Sequence, residues 1–262
     1  MFENSRTHGT SAGFAVSYLG SAVRPTMCVD SGVVFSAGFG KRRQTLICER
    51  PEEFNVDLVD AFSVERIVSP APLSVPGWKE TIRKEYAVQS LDTQHLTAKE
   101  RYNEIVWPIK KITEQGFVLQ SATLQHLEQL RFLWKSWCEM KLSDPKVHKI
   151  SFTAARYWRC IEDALNRLYP NATYVLVNVH GAIAACRVLS LAGTRAFDLA
   201  FMSSREVKGS ARAMQYLSLR DLFLQGVKEV NFGESTGKGL THFKTRFNTT
   251  IVLSYQYDEG AP

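Results

Sequence analysis

The sequence predicts an α/β protein with a mixed, mostly antiparallel sheet flanked by helices. Apolar residues make up 45% and charged residues 22% of the 262 residues, which is typical of a globular protein with a substantial core. From Phe117 onward, strand-like and helix-like patterns follow in the order β-α-α-β-β-β-α-β-α-β. A proline-rich break at 70–76 precedes this region. We therefore expect a smaller α/β or β-rich extension, or a degenerate half-repeat of the same unit, over 1–95, and a larger domain over 96–262.

The extension is expected to consist mainly of short strands. Its first ~25 residues are rich in Ser, Gly and Thr, which predicts a poorly ordered lead-in. Runs of β-forming residues predict strands at 27–30, 33–36, 44–49 and 85–91. A basic turn, 38–43, separates two of them.

In the larger domain, helical spacing of apolar residues predicts helices and β-rich runs predict strands. A first helix over 97–115 is expected to kink at Pro108 and to end at Gly116. A hairpin is expected around the tight turn His180-Gly181. The predicted strands are 117–122, 173–179, 182–191, 195–202, 227–232 and 250–257, and the later helices lie near 124–137, 157–168, 210–225 and 240–247.

Charge and cysteine content constrain the partners and the compartment. The formal net charge of +6 favours a partner rich in phosphate, such as tRNA, DNA or coenzyme A. The five cysteines are odd in number and lack C-x-x-C spacing, which predicts reduced thiols and no metal site. We see neither a signal peptide nor a membrane-spanning segment, so a cytoplasmic location is expected.

The predicted topology places a cleft beside the helix that begins at Ser210. The strand before this helix and the strand after it can run parallel and splay apart, which leaves backbone groups facing an extended ligand. The positive end of the helix, at Gly209-Ser210, is expected to bind phosphate.

Two short segments carry a resemblance to a known family. The segment 230–235 contains Phe232-Gly233, and 239–247 contains Phe-Lys-x-x-Phe with the lysine at Lys244. With the order of elements, they resemble the GNAT acyltransferase superfamily, in particular the branch of Fem-type peptidyltransferases and lysyl-phosphatidylglycerol synthases. The hairpin 179–185 with its central glycine also matches. The resemblance covers about residues 97–257, and it implies an acyltransferase with a splayed GNAT-like sheet and an acetyl-CoA or other acyl-CoA donor.

The resemblance also implies a donor-phosphate loop, with one departure. GNAT members carry Gln/Arg-x-x-Gly-x-Gly/Ala, and here Gly209 and Ala211 fit while Glu206 takes the place of Gln or Arg. The expected donor-binding residues are Arg205, Lys208, Gly209, Ser210, Ala211 and Arg212. The same residues are also compatible with an ordinary turn and a solvated charged surface. Fem-like members lack a clean loop and take their acyl group from aminoacyl-tRNA, which the departure also fits.

Three residues are candidates for the chemistry. Glu234 follows a strand end and is a candidate general base for the attacking amine. Lys244 corresponds to the lysine that lies by the reacting carbonyl in Fem-like enzymes, where a cation stabilises the oxyanion. Asp198 lies in the middle of a strand, either on the solvent face or in the cleft.

Four functions remain open at this point. The first is an acyl-CoA-dependent N-acyltransferase that acts on a small-molecule or macromolecular amine. The second is an aminoacyl-tRNA-dependent transferase. The third is an acyltransferase acting on an amine of a modified base in nucleic acid, as in phage DNA. The fourth is a non-enzymatic protein that binds a ligand with the same fold.

Overall fold

The structure is a computed structural model that describes residues 6–7, 11–19, 23–37, 43–142, 150–235 and 238–259. It contains two compact units. The first comprises residues 1–88, 231–245 and 249–262, and the second comprises 89–230 and 246–248.

The described residues of the first unit form two α-helices in the N-terminal segment, one helix in the C-terminal segment and six complete strands. The helices are α1 (Ala12–Leu19), α2 (Asp57–Ala61) and α8 (Lys238–Lys244). The strands are β1 (Val23–Val29), β2 (Gly32–Ala37), β3 (Arg43–Cys48), β4 (Arg66–Ser69), β5 (Lys79–Val88) and β11 (Thr249–Asp258).

Strand β11 lies between β4 and β5 in the sheet of the first unit, although it comes last in the chain. The strand order is β1-β2-β3-β4-β11-β5. Only β3 and β4 are parallel, and β11 pairs with β5 without interruption from Thr249 opposite Val88 to Asp258 opposite Lys79. The apolar core beneath this sheet consists of Val34, Leu46, Cys48, Val59, Val64, Ile67, Val75 and Tyr257.

The second unit follows the predicted order of elements. Its helices are α3 (Ala98–Arg101), α4 (Trp107–Glu114), α5 (Leu127–Leu142), α6 (Ile150–Leu165) and α7 (Ser210–Leu224), and a π-helical turn, Tyr102–Val106, joins α3 to α4. Its strands are β6 (Val118–Ser121), β7 (Asn171–Val177), β8 (Ile183–Ala192) and β9 (Arg195–Ser203). Strand β10 (Glu229–Glu234) begins in this unit and ends in the first.

Strands β6 to β9 form an antiparallel meander in sequence order. Helices α5, α6 and α7 pack on it. Strands β7 and β8 are almost continuously buried, as in the run from Tyr174 to Val177, because apolar side chains on both of their faces are covered, whereas β6 is largely exposed. The predicted class, a mixed and mostly antiparallel α/β sheet with flanking helices, is confirmed. The splay between the strands on either side of α7 stays a prediction.

Two parts of the N-terminal segment differ from the sequence-based expectation. Part of the expected lead-in is helical, because Ala12–Leu19 forms α1, with Ser11 accepting a hydrogen bond from the Phe14 amide. The short elements α2 and β4 were not predicted, since neither exceeds five residues and periodicity needs a longer window. The predicted basic turn at 38–43 lies mostly outside the described residues.

Contacts divide the chain differently from the expected 1–95 and 96–262. The break after Val88 lies near the expected boundary, whereas α8 and β11 belong to the first unit. The reason is the pairing of β11 with β5 and β4, which connects residues far apart in the chain. As a statement about domains that fold separately, the division from sequence stays a prediction.

Among the helices of the described ranges, none has both the length and the apolar character that a membrane span requires. All five cysteines are free thiols. Burial raises the pKa of Cys160 and of Cys186 to about 12, so both stay protonated at neutral pH.

Candidate functional site

The turn that leads into α7 is shaped by a glycine. Gly209 has φ +88°, a left-handed conformation that L-residues with side chains rarely adopt. A Cβ at this position would lie 3.0 Å from Cα of Pro108 in α4. Gly209 is therefore required by the fold of the second unit itself, and a substitution there affects folding as well as any bound phosphate.

The residues around Gly209 leave the start of α7 partly accessible. Arg205 and Lys208 are exposed, while Ser210 is buried and its hydroxyl donates to the Ser204 carbonyl at 3.1 Å. The Glu206 amide donates to Ser204 Oγ at 3.2 Å, which closes the turn from within. Two exposed cations thus flank a helix start whose first amides have no partner inside the helix.

Arg212, the last residue of the predicted donor loop, is held by the π-helical turn. Its Nε lies 3.3 Å from Oε2 of Glu104, and its Nη1 donates to the Asn103 carbonyl at 3.2 Å. π-helical turns are rare and occur frequently at functional sites. Glu104 was not among the residues predicted from the sequence, because nothing in the local pattern of 97–115 marks it.

A second arginine contacts the same carboxylate. Nη1 of Arg246 lies 2.6 Å from Oε2 of Glu104, and only 9% of the Arg246 side chain is exposed. Burial lowers the pKa of Arg246; the Glu104 carboxylate opposes this shift and the Arg212 guanidinium adds to it. The carbonyl of Arg246 lies 3.1 Å from Nε2 of His95. Arg246 belongs to the Phe-Lys-x-x-Phe segment, and it was not among the predicted site residues.

An open cavity of about 280 Å³ borders the turn before α7. One wall is the C-terminal half of α5 and the other is the end of β9 with the residues that follow it. Its lining includes two acidic residues, Glu139 and Glu206, and one basic residue, Arg205. The remaining lining residues are Ser136, Trp137, Met140, Ser203 and Ser204. The cavity combines an aromatic wall with both signs of charge.

Asp198 forms a buried ion pair. Nε and Nη2 of Arg187 lie 3.1 and 3.3 Å from the two Asp198 carboxylate oxygens, and Arg187 Nη1 donates to Ser218 Oγ at 2.9 Å. The Arg187 side chain is fully buried and the Asp198 side chain is 17% exposed. A guanidinium without contact to water needs such a counter-ion. The structure therefore shows Asp198 as the partner of Arg187, and its catalytic role stays a prediction.

In the first unit, Lys244 and Glu234 lie at the end of β10. The buried ammonium of Lys244 donates to the carbonyls of Phe232, Gly233 and Glu234. A lysine ammonium has three N–H donors and no acceptor, which suits this group of carbonyls. The Glu234 side chain is exposed, and one of its carboxylate oxygens lies 3.6 Å from Nε of Arg83.

The bend at this strand end depends on Asn231. Its side-chain oxygen accepts from the Gly233 amide at 2.6 Å, and its amide group donates to Glu85 at 2.9 Å. Gly233 has φ +69°, which explains the Phe-Gly of the motif. The motif 230–244 therefore bends β10 and supplies hydrogen-bond donors to its last carbonyl groups.

The site residues predicted from the sequence fall into separate groups. The turn before α7 and Asp198 belong to the second unit, and the β10 end with Lys244 belongs to the first. Within the described residues, no cluster of His, Cys, Asp and Glu suited to a metal ion is present.

Comparison with known proteins gives the fold. No family model matches the sequence, and no curated protein matches it significantly. A conserved protein of unknown function from Bacteroides thetaiotaomicron is similar in structure over 99% of this chain and 94% of its own, with a TM-score of 0.73 and 12% identity. L-PGS from Bacillus licheniformis is similar over 95% and 87%, with a TM-score of 0.65 and 14% identity. FemX is similar over 95% and 91%, with a TM-score of 0.59 and 12% identity.

These similarities confirm the predicted resemblance at the level of the fold. The chain has a GNAT fold similar to that of FemX and L-PGS. At identities of this size the fold alone is shown, and the reaction has to be argued from the residues.

Proposed function

We propose that this protein is an N-acyltransferase that moves an acyl group from an acyl-CoA donor to an amine. The observation that carries the proposal is the turn before α7. It combines two exposed cations, a left-handed glycine and a helix start, and it also borders a cavity. Such a turn can bind the phosphates of a donor, and the cavity beside it offers room for a second reactant.

In this proposal the donor phosphates bind at the first turn of α7. The amides of Ala211 and Arg212 supply hydrogen bonds, and Arg205 and Lys208 supply charge. The acceptor enters the cavity beside the same turn. Its carboxylates, from Glu139 and Glu206, attract an amine that arrives as an ammonium ion.

The proposed reaction is a direct transfer. The amine nitrogen attacks the thioester carbonyl, the carbon–sulfur bond breaks, and the thiolate of coenzyme A leaves. The candidates from the sequence for the other two roles are Glu234, to accept the proton that the amine loses, and Lys244, to stabilise the oxyanion. We leave Asp198 out of the bond-making steps, because the structure pairs it with Arg187. A covalent intermediate on Cys160 or Cys186 is disfavoured by their raised pKa.

The donor site is tested by replacing both Arg205 and Lys208 with alanine. Coenzyme A affinity, measured by isothermal titration calorimetry, is expected to fall at least about tenfold, roughly 1.4 kcal/mol, because two phosphate partners are lost. Arg220→Ala is the matched control: it removes an exposed arginine of the same helix, about 15 Å further along. Equal losses in the two variants would contradict a localised site.

The general base is tested through the pH profile of acyl transfer. With Glu234→Gln, the profile of the maximal rate is expected to move to higher pH, because only amine already deprotonated in solution can then react. Glu259→Gln, an exposed carboxylate of the same unit, is the control and should leave the profile unchanged. A wild-type profile for Glu234→Gln would remove this residue from the mechanism.

A second candidate is an aminoacyl-tRNA-dependent transferase. It is favoured by Glu206, which is exposed in the turn before α7 and carries the wrong charge for a phosphate. The net charge of +6 suits tRNA and equally suits an acceptor amine on a modified base in DNA. Transfer of radiolabelled acyl groups from acetyl-CoA, compared with transfer from charged tRNA, distinguishes the two donors. Binding of either donor without turnover would instead indicate the non-enzymatic alternative.

The reduced thiols lead us to propose a cytoplasmic location.

A further inference from the structure

The contacts at the start of α7 bring two guanidinium groups to one carboxylate. Arg212 and Arg246 both contact Oε2 of Glu104, so two positive charges face one negative charge among these three partly buried side chains. Cations that lose water are normally matched by anions. The excess makes the cluster suited to a bound anion.

The two arginines differ in how firmly they are held. Arg246 is 9% exposed and lies 2.6 Å from Glu104, whereas Arg212 is 37% exposed and lies 3.3 Å from it. Arg212 also lies in the first turn of α7, where the helix dipole opposes a cation. Arg212 is therefore the partner that can be exchanged, and Arg246 is the one that stays.

We propose that Glu104 is a positioning residue that sets the affinity of the donor-phosphate site by competing for Arg212. This inference rests on the proposed function. When a pyrophosphate group binds at the start of α7, the Arg212 guanidinium exchanges the Glu104 carboxylate for a phosphate oxygen. Arg246 remains on Glu104, so the buried carboxylate keeps a counter-ion throughout.

The competition has a use in the reaction. An acyl-CoA and the coenzyme A left after transfer carry the same phosphates, so phosphate binding stabilises donor and product alike. A site that held the phosphates with its full charge would release the product slowly. Glu104 weakens the site for both and thereby favours turnover.

The test is Glu104→Gln, with coenzyme A and inorganic pyrophosphate as probes in isothermal titration calorimetry. Both probes are expected to bind about tenfold more tightly than to the wild type, because the uncharged amide no longer competes for Arg212. A purely structural role for Glu104 predicts the opposite direction, since a damaged site binds more weakly.

Two further variants assign the gain to Arg212. In the double variant Glu104→Gln with Arg212→Gln, the gain is expected to disappear. Glu114→Gln removes an exposed carboxylate of α4 that pairs with Lys110 and Lys111, and it should leave both affinities unchanged.

The substitution leaves Arg246 without its carboxylate, so folding is checked by circular dichroism. If Glu104→Gln does not fold, Glu104→Gln combined with Arg246→Met removes the buried cation as well, and the same gain is expected. Unchanged or weaker probe binding in a folded variant overturns the inference.

The outcomes separate this inference from the proposed function. If pyrophosphate binding responds to Glu104→Gln but coenzyme A does not bind, the proposal of an acyl-CoA donor is contradicted. The proposal that Glu104 competes with phosphate for Arg212 is then still supported. If coenzyme A binding depends on Arg205 and Lys208 but not on Glu104, the proposed donor site is supported and the proposed competition for Arg212 is contradicted. If neither probe binds to any of the proteins, the competition is overturned, and acyl transfer from charged tRNA is then assayed separately.

Discussion

Asp198→Asn is expected to lower the free energy of unfolding by about 3–5 kcal/mol, which is the usual cost of removing one partner of a buried ion pair. The substitution keeps the size of the side chain and removes its charge. Arg187 is fully buried on β8 and contacts Asp198 through two nitrogens, so it would lose this counter-ion while it stays buried. Its contact with Ser218 is to a neutral hydroxyl, which does not balance the charge.

Urea unfolding measures this loss, with Asp221→Asn as the matched control. Asp221 is a partly buried aspartate of the same unit that accepts hydrogen bonds from Tyr174 at 2.8 Å and from Gln225 at 2.6 Å. An asparagine oxygen can still accept one of these bonds, so the control is expected to cost about 1 kcal/mol. Adding Arg187→Met to Asp198→Asn should recover part of the loss, because the orphaned charge is gone. A loss of acyl transfer in Asp198→Asn without loss of stability would instead support the catalytic role.

The order of strands and helices in the second unit could be predicted because each element carries a local signal. Strands β7 to β9 are buried runs of β-forming residues, and Gly116, Gly181 and Gly226 mark turns with positive φ. The place of β11 between β4 and β5 in the first unit could not be predicted. It depends on pairing with β5 and β4, and no local pattern in 249–258 specifies a partner strand.

In the candidate site, too, the sequence did not indicate which charged residues contact each other. Asp198 stood out as a carboxylate between apolar neighbours, but its partner Arg187 is contributed by the adjacent strand β8. Glu104 and Arg246 did not stand out, since each looks like an ordinary charged residue of a helical segment. Only the fold brings Glu104, Arg212 and Arg246 together, so their common role had no sequence signal.

The structure brings the Phe-Gly and Phe-Lys segments into contact at the end of β10. The sequence suggested a chemical role for them, and the structure also shows a role in shaping the chain. Gly233 adopts a positive φ and Asn231 accepts from its amide. Lys244 then supplies donors to the carbonyls at this bend. A lysine in this position can hold the strand end and also place a positive charge there. These two roles make different experimental predictions.

Lys244→Met is expected to lower both the stability and the rate. Methionine retains most of the side-chain volume but leaves the buried carbonyls of Phe232 and Gly233 without their charged donor. We expect the free energy of unfolding to fall by about 2–4 kcal/mol, the scale for losing hydrogen bonds to a charged group. The maximal rate of acyl transfer, measured on the folded protein at low temperature, is expected to fall by about 10²–10³-fold, as when one oxyanion donor is removed.

Lys238→Met is the matched control, because Lys238 begins the same helix and is exposed. It should change neither quantity. A Lys244→Met protein that is destabilised but transfers acyl groups at the wild-type rate per folded molecule would limit Lys244 to holding the bend. Unchanged stability with a large loss of rate would mean that its contacts with the carbonyls contribute little energy and that its charge serves the reaction. If both quantities fall as expected, the ammonium of Lys244 shapes the end of β10 and also stabilises the oxyanion. Some of its hydrogen bonds to the carbonyls must then be replaced by contacts with the oxyanion during the reaction.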